Sequence, residues 1–192
     1  MNTMYKSSKG VTIVPIESHL LSKRKLYING EITLSSACEF VMEITLLVEE
    51  DAEKPIDIFI NSQGGDLRAG FLIYDVLKGL KTEVNLHCQS IAFSMAAIIL
   101  ASGKKGHRFA MPHSEILIHE PFITGGVGGS ASSIERTAES ILKKKRMSVE
   151  ALSSDTGKTE KEIEDAISID NFMNAEEAIA FGICDSIETS IV

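Results

Sequence analysis

The sequence lacks any uninterrupted apolar run of the roughly 20 residues that a membrane-spanning helix needs. Residues 1–14 also lack a continuous apolar segment of the length found in signal peptides. Together these two absences predict a cytoplasmic protein.

Cysteines and clustered basic residues are also scarce. Cys38, Cys88 and Cys184 are odd in number and widely spaced, so we expect small buried side chains rather than disulfides or a zinc site. The net charge of −8 opposes nucleic-acid binding, because proteins neutralise phosphates with clustered Lys and Arg. The single basic run, 143–146, is interpreted as the solvated face of a helix.

A single α/β domain is predicted for the 192 residues, which can bury one core and are few for two. After a polar, poorly patterned arm at 1–15, strand-like runs alternate with helical spacing, which favours parallel pairing. The predicted strands lie at 25–30, 56–60, 83–89, 107–111, 115–119 and 183–187, and the predicted helices at 35–50, 68–80, 94–101, 130–153, 159–167 and 175–181.

Two junctions between a strand and a helix carry residues that are suited to chemistry. Residues 61–66 include Gly64 and Gly65, whose amides could hold an anion or simply form a tight connection. Ser94 opens a helix, so its hydroxyl could cap that helix or act as a nucleophile beside a free glycine amide. The neighbouring residues do not match the G-x-S-x-G elbow, which disfavours an α/β-hydrolase.

Among the five histidines, His119 is distinguished by its place at the end of an apolar strand, where catalytic groups commonly lie. His107, His113 and His119 are spaced by six residues and lack the H-E-x-x-H signature, so we expect neither a metal nor a cofactor. Asp170 lies between two predicted helices. Its carboxylate could accept a hydrogen bond from a histidine Nδ1 or cap the following helix.

Four motifs resemble, in order, those of the ClpP family, the proteolytic subunits of the Clp proteases and peptidase family S14. They are Asn61-Ser62-x-Gly64-Gly65, Ala92-x-Ser94-Met95, Ile118-His119-x-Pro121 and Asp170-x-Phe172. The resemblance runs from about residue 16 to residue 186, and the interval of 25 residues between the serine and the histidine also fits the family. Gln63 and Phe93 depart from the family pattern, which suits a divergent paralogue.

The resemblance implies the ClpP/crotonase-like spiral of ββα units, with a handle region at about 124–153 that protrudes and meets another subunit. It also implies heptameric rings, stacked as a tetradecamer in the family, that are homomeric or mixed with a second ClpP-type subunit. A AAA+ Clp ATPase would deliver unfolded polypeptides. The absence of a Walker motif is consistent with a subunit that binds no ATP itself.

The site residues that the resemblance implies are those of a serine endopeptidase. Ser94 is the nucleophile, His119 the base and Asp170 the residue that orients the base. The amides of Gly65 and Met95 form the oxyanion hole. Extended substrate pairs with the glycine-rich segment 125–129, where the substrate-binding residues, together with Gly64, are Gly125, Gly126 and Val127.

Two other classes of function stay open at this stage. A crotonase-like acyl-CoA enzyme would share the spiral and an oxyanion hole made of two backbone amides. A ring subunit of little or no activity would act beside another ClpP-type subunit. Binding of a CoA thioester would support the first class, and peptide cleavage by the wild type and Ser94→Ala, with and without a partner subunit, would test the second.

Overall fold

The computed structural model describes residues 1–7, 10–123 and 125–190, and nine strands and seven helices lie within these ranges. The first part of the chain forms β1 (Asn2–Ser7), β2 (Gly10–Pro15), α1 (Ile16–Leu21), β3 (Lys25–Ile32), α2 (Leu34–Glu50), β4 (Ile56–Gly65), α3 (Leu67–Gly79), β5 (Val84–Phe93) and α4 (Met95–Ala101). The second part forms β6 (Arg108–Ala110), β7 (Glu115–Ile118), α5 (Ala131–Thr156), α6 (Glu160–Ile167), β8 (Asn171–Met173), α7 (Ala175–Phe181) and β9 (Ser186–Ile187).

The N-terminal segment, predicted as a poorly patterned arm, has regular structure. Strands β1 and β2 pair antiparallel, with Asn2 opposite Pro15. Helix α1 follows directly, and the N–H of Ile16 donates to the carbonyl of Met1 across 2.9 Å. No strand was predicted in this arm, and the positions of β2 are exposed or partly exposed on both faces, so no buried face marks the strand in the sequence.

A mainly parallel sheet carries the rest of the fold, as the alternation of strands and helices predicts. Its main path runs β3-β4-β5-β6-β9, while β7 pairs with β5 and the short strand β8 pairs antiparallel with β7. Strand β5 therefore has two neighbours on one side: β6 beside residues 86–88 and β7 beside residues 91–93. This fork decides which side chains meet at the carboxyl ends of the strands.

The core lies between the sheet and helices α2, α3 and α4. Leu26, Ile58 and Leu86 lie side by side on the buried face of β3, β4 and β5. Helix α4 is buried at all seven positions and packs against β4 and β5. Each fully buried aliphatic side chain of this kind contributes roughly 1.5–3 kcal/mol, so the first residues of α4 have a rigid support.

Helix α5, predicted at 130–153, is confirmed with slightly different ends. The Ser130 hydroxyl accepts the N–H of Ser133 at its start, and Gly157 takes a left-handed φ of 80° at its end. The predicted apolar stripe is buried only in its second half, at Val149 and Leu152, whereas Ile134 remains 43% exposed. The first half of α5 therefore extends away from the sheet, as expected of a handle.

The glycine-rich composition of the segment before α5 predicts a loop or a pliable strand, and Thr124 lies outside the described residues. No strand occurs within the described positions 125–130. Gly125 and Gly126 adopt φ values of 88° and 82°, which favour glycine.

Lys145, inside the basic run predicted to be a solvated face, instead contacts Glu120 at 2.6 Å.

The cysteines fit their prediction in part. Cys88 and Cys184 are buried, and burial raises the pKa of their thiols to about 11 and about 12. Cys38, expected to be buried, is exposed on α2. Within the described ranges, no helix combines the length and the apolar character that crossing a bilayer requires.

Candidate active site

Ser94 occupies a strained turn between β5 and α4. Its φ of 56° and ψ of −120° are rare for a residue with a side chain, and such conformations cost about 1–3 kcal/mol. The turn is fixed by its own amide, which donates to the carbonyl of Leu117 across 2.8 Å. The side chain makes no capping bond to α4, so the capping interpretation was wrong and the hydroxyl is left for other chemistry.

The glycine pair of the first junction lies directly against Ser94. The predicted turn at 61–66 is an extension of β4 to Gly65, after which Asp66 caps α3. A Cβ atom added to Gly64 would stand 2.9 Å from the Ser94 Cβ and 3.1 Å from the Met95 nitrogen. Only glycine permits so close an approach, and Gly64 also takes a φ of 87°.

The two amides expected in the oxyanion hole belong to residues with rigid backbones. Met95 is the first residue of α4, where an N–H has no partner within the helix. Its side chain packs on Gly70 of α3, where an added Cβ would stand 2.0 Å from the Met95 Cγ. Gly65 has a φ of 154° and adjoins the backbone of Ile32 so closely that any Cβ would collide with it.

His119 follows β7 and carries its ring toward Asp170. The His119 Nδ1 lies 3.5 Å from the Asp170 Oδ1, which is long for a hydrogen bond and within reach of an ion pair. The ring is 14% exposed and lies beside Phe122, with ring centroids 5.3 Å apart. Catalytic hydrogen bonds are often long before substrate binds, so this spacing is compatible with an orienting carboxylate.

The position of Asp170 follows from the pairing of β8 with β7. Ile118 pairs with Asn171 in an antiparallel register, which places Asp170 opposite His119 one residue further along. The alternative role, capping the following helix, was wrong because Asn174 caps α7 by accepting the N–H of Glu177. The Asp170 side chain is 67% exposed, and among the described residues only His119 is recorded as its partner.

The order of the strands aligns the three predicted catalytic residues. Strand β7 lies between β5 and β8, so His119 stands between Ser94 and Asp170. Because Phe93 pairs with Leu117, the residue beside Ser94 is Ile118, the immediate neighbour of His119. The structure records no hydrogen bond between the Ser94 hydroxyl and the His119 ring among the residues that it describes.

An open cavity of about 470 Å³ adjoins the histidine and the aspartate, lined mainly by the ends of β7 and α6 with Phe122. The predicted substrate-binding residues Gly125 and Gly126 are exposed, and Val127 is 46% exposed. They are therefore accessible, and no described contact joins them to Gly64. A larger cavity, of about 510 Å³, lies elsewhere between α1, β3 and α2.

His87 and His107 make their contacts elsewhere in the sheet. The His87 ring stacks between Phe59 and Phe109 and contacts Glu188 at 2.8 Å. His107 contacts Asn85 at 2.8 Å on a neighbouring strand. No group of three or more His, Cys, Asp or Glu side chains within the described part of the chain is arranged to hold a metal ion.

Sequence reasoning missed the role of two aromatic residues at the site. Phe93 precedes Ser94, and its ring meets Phe172 with centroids 5.8 Å apart in an edge-to-face arrangement. Phe93 was noted only as a departure from a family pattern, and Phe172 only as part of a motif. That Phe93 and Phe172 lie two strands apart on one row can be concluded only once the pairing of β7 with β5 and β8 is known.

Comparison with known proteins agrees with this geometry. A protein-family model described as Clp protease matches residues 8–190. The ATP-dependent Clp protease proteolytic subunit 2 of Chlamydia pneumoniae is 42% identical over 185 residues, covering 96% of this chain and 90% of that protein. These matches favour a peptidase over the alternative acyl-CoA enzyme.

Proposed function

This chain belongs to the Clp protease family of serine peptidases, and we propose that Ser94, His119 and Asp170 are its catalytic triad. The observation that supports this assignment is the strand order, because β5, β7 and β8 present the three side chains in the sequence nucleophile, base, orienting acid. The contact of 3.5 Å between the His119 and Asp170 side chains agrees with it.

The reaction is acyl transfer. The Ser94 Oγ attacks the peptide carbonyl carbon while the His119 Nε2 takes the hydroxyl proton. Collapse of the tetrahedral intermediate breaks the C–N bond, and the same proton passes to the leaving amine. Water then attacks the acyl-enzyme with His119 again acting as base, while Asp170 holds the ring and stabilises its charged form.

The intermediate needs donors at its oxyanion, and we assign this role to the N–H groups of Gly65 and Met95. Gly64 lies close to the Ser94 Cβ and the Met95 nitrogen, and this approach brings the end of β4, which includes Gly65, to the nucleophile. Both backbones are held by packing, so little reorganisation accompanies the reaction. A donor of this kind typically contributes about 3 kcal/mol.

Substrate would bind as an extended strand along Gly125, Gly126 and Val127, with Gly64 on the opposite side of the scissile bond. The exposure of Gly125, Gly126 and Val127 leaves their backbone groups accessible to a peptide, whereas Gly64 is buried and would contact substrate only from the floor of the site. Recognition through backbone groups is tolerant of side-chain identity. We therefore expect broad specificity toward unfolded polypeptides.

Membership of the family implies an oligomeric ring that works with a Clp ATPase. We propose heptameric rings, stacked in pairs through the protruding half of α5, that are homomeric or include a second ClpP-type subunit. The exposed apolar side chains of that half, including Ile134 and Leu142, suit such a contact. A AAA+ ATPase would feed in unfolded chains, and a cytoplasmic location would suit this work.

Labelling with a fluorophosphonate tests the assignment, because the reagent bonds to an activated serine. We expect one adduct on Ser94 of the assembled wild type and none on Ser94→Ala. Ser90→Ala is the matched control, since Ser90 is exposed on the same strand and outside the site. Absence of labelling in the assembled ring, alone and with a second ClpP-type subunit, would refute the assignment. Labelling only in the mixed assembly would identify a mixed ring.

A further inference from the structure

Two phenylalanines form one row of side chains across three strands. Phe93 on β5 pairs with Leu117 on β7, and Leu117 pairs with Phe172 on β8. Paired residues point to the same face of a sheet. The row Phe93, Leu117 and Phe172 therefore lies on a single face.

The two rings converge above the strand that separates them. Neighbouring strands lie about 4.8 Å apart, so backbones two strands apart are separated by roughly 10 Å. The ring centroids of Phe93 and Phe172 are nevertheless only 5.8 Å apart, with an interplanar angle of 88°. The rings must lean toward each other across Leu117, which is 8% exposed.

The catalytic histidine and aspartate form the next row on this face. Side chains alternate along a strand, so His119 points to the same side as Leu117, and Asp170 to the same side as Phe172. The aromatic pair thus adjoins the row that contains the contact between His119 and Asp170.

Strand β8 is three residues long and, in the sheet of the described residues, pairs only with β7. The backbone on either side of Asp170 is attached to β7 and to the residues just after it, through the pairing of Asn171 with Ile118 and a hydrogen bond of 2.9 Å from the Glu120 N–H to the Ile167 carbonyl. The Asp170 side chain is largely exposed, and its contact with His119 is 3.5 Å long. The ring of Phe172 adds a contact from β8 to β5, the strand of the nucleophile.

We propose that Phe93 and Phe172 are positioning residues, whose ring contact holds β8 so that Asp170 stays within reach of His119. The proposal rests on the proposed function, because it gives the pair a role in that same triad. It makes no use of a contact between either ring and substrate. The pair would act on kcat through Asp170 and leave KM almost unchanged.

The test compares Phe172→Ala with wild type in the assembled protein, using a short fluorogenic peptide and the rate of fluorophosphonate labelling. A displacement of a catalytic group by about 1 Å can cost on the order of 100-fold in rate. We therefore expect kcat and the labelling rate to fall by roughly 10- to 100-fold, and Phe93→Ala to have a similar effect. Phe172→Tyr keeps the ring and should restore most of the activity.

The decisive measurement repeats Phe172→Ala in an Asp170→Asn background. If the Phe172 ring acts only by positioning the Asp170 carboxylate, its loss should matter little once that carboxylate has been removed. Adding Phe172→Ala to Asp170→Asn should therefore lower the labelling rate by less than about twofold. Tyr27→Ala is the control, because Tyr27 stacks on Phe59 with ring centroids 5.1 Å apart and lies on β3, the end strand of the main sheet path, two strands from β5. That variant should keep the catalytic rate of the wild type.

Two results would overturn the proposal. One is a Phe172→Ala protein as active as the wild type. The other is an undiminished loss of rate in the Asp170→Asn background, which would show that the ring acts independently of the carboxylate. Wild type that neither cleaves nor labels would instead count against the proposed function, so the two failures are distinguishable. Native mass spectrometry of every variant would confirm equal assembly.

Discussion

Replacing the carboxylate of the buried charge pair between Arg108 and Asp185 should destabilise the fold far more than replacing the carboxylate of an exposed pair. Arg108 is only 2% exposed, and its Nε and Nη2 donate to Asp185 across 2.9 and 2.6 Å. Its Nη1 donates to three backbone carbonyls, those of Ala101, Asp155 and Gly182. One guanidinium thereby joins β6 to the ends of α4, α5 and α7.

Asp185→Asn removes the negative charge and leaves the guanidinium buried without its counter-ion. Breaking one partner of a buried pair costs about 3–5 kcal/mol. The three carbonyls remain as acceptors, so we expect a loss of about 3 kcal/mol, near the lower end of that range. Asp165→Asn is the matched control: Asp165 also contacts a cation, Lys161, at 2.6 Å, but both side chains are exposed, so solvent screens the pair and its loss should change the stability little.

Urea unfolding followed by circular dichroism, at one fixed protein concentration, measures both losses. The pH dependence gives a second check. Burial alone would raise the pKa of Asp185, but hydrogen bonds and charge attraction from Arg108 lower it overall. A lowered pKa stabilises the fold above the unfolded value of about 3.9. The difference between wild type and Asp185→Asn should therefore shrink as the pH falls through the lowered pKa, and equal losses for the two variants at pH 7 would refute the reasoning.

Two further predictions concern the site and the opposite side of the sheet. Gly64→Ala should slow fluorophosphonate labelling of Ser94 by at least about 10-fold, because the new Cβ atom has no room beside Ser94 and Met95. Gly79→Ala is the control, since a Cβ atom added at Gly79 meets no other atom. Equal labelling rates for the two variants would contradict the close approach of Gly64 to Ser94. Burial alone would lower the pKa of His87, but the carboxylate of Asp57, 3.5 Å from its Nε2, and that of Glu188, 2.8 Å from its Nδ1, raise it overall. The stability that His87 contributes should therefore be full below about pH 6.5 and fade as the pH rises through the raised pKa. Denaturation of the wild type and His87→Gln from pH 5 to pH 9 would show this, and a constant difference would exclude it.

Local signals explain why many elements could be predicted from sequence. Thr159 and Glu162 have the spacing of a capping box, and both reciprocal hydrogen bonds are present at the start of α6. Gly182 predicts the end of the following helix, and it takes a left-handed φ of 101° there. Such signals depend on residues three or four positions apart in one helix, so they can be recognised from the sequence without knowledge of the fold.

Features that depend on distant residues could not be predicted in this way. The contacts of Arg108 join residues up to 77 positions apart. The strand β8 has three residues, too few for a periodic pattern. Ser94, His119 and Asp170 came from a resemblance between motifs, because no spacing in the sequence shows that β7 lies between β5 and β8.

The fork in β5 explains how Ile118, the residue before His119, comes to lie beside Ser94. Where β5 pairs with β6, Cys88 lies opposite Ala110, a difference of 22 in residue number. Where β5 pairs with β7, Ile91 lies opposite Glu115, a difference of 24. The bend between β6 and β7 thus adds two residues, and it is fastened to β5 by the buried Ser114, whose hydroxyl donates to the Cys88 carbonyl across 2.8 Å.

A change of two residues in the pairing of β7 with β5 keeps every side chain of β7 on the same face of the sheet. A change of one residue would turn the His119 side chain to the opposite face, away from the site. Without the bend, Ser94 would stand beside Ile116, and His119 would lie two residues further along β7 than it does. That distance is roughly 6.6 Å at the rise of a parallel strand, more than a proton transfer between side chains can span. The Ser114 hydroxyl and the Met111 N–H, which donates to the same Cys88 carbonyl across 3.0 Å, therefore both hold the register on which the proposed triad depends.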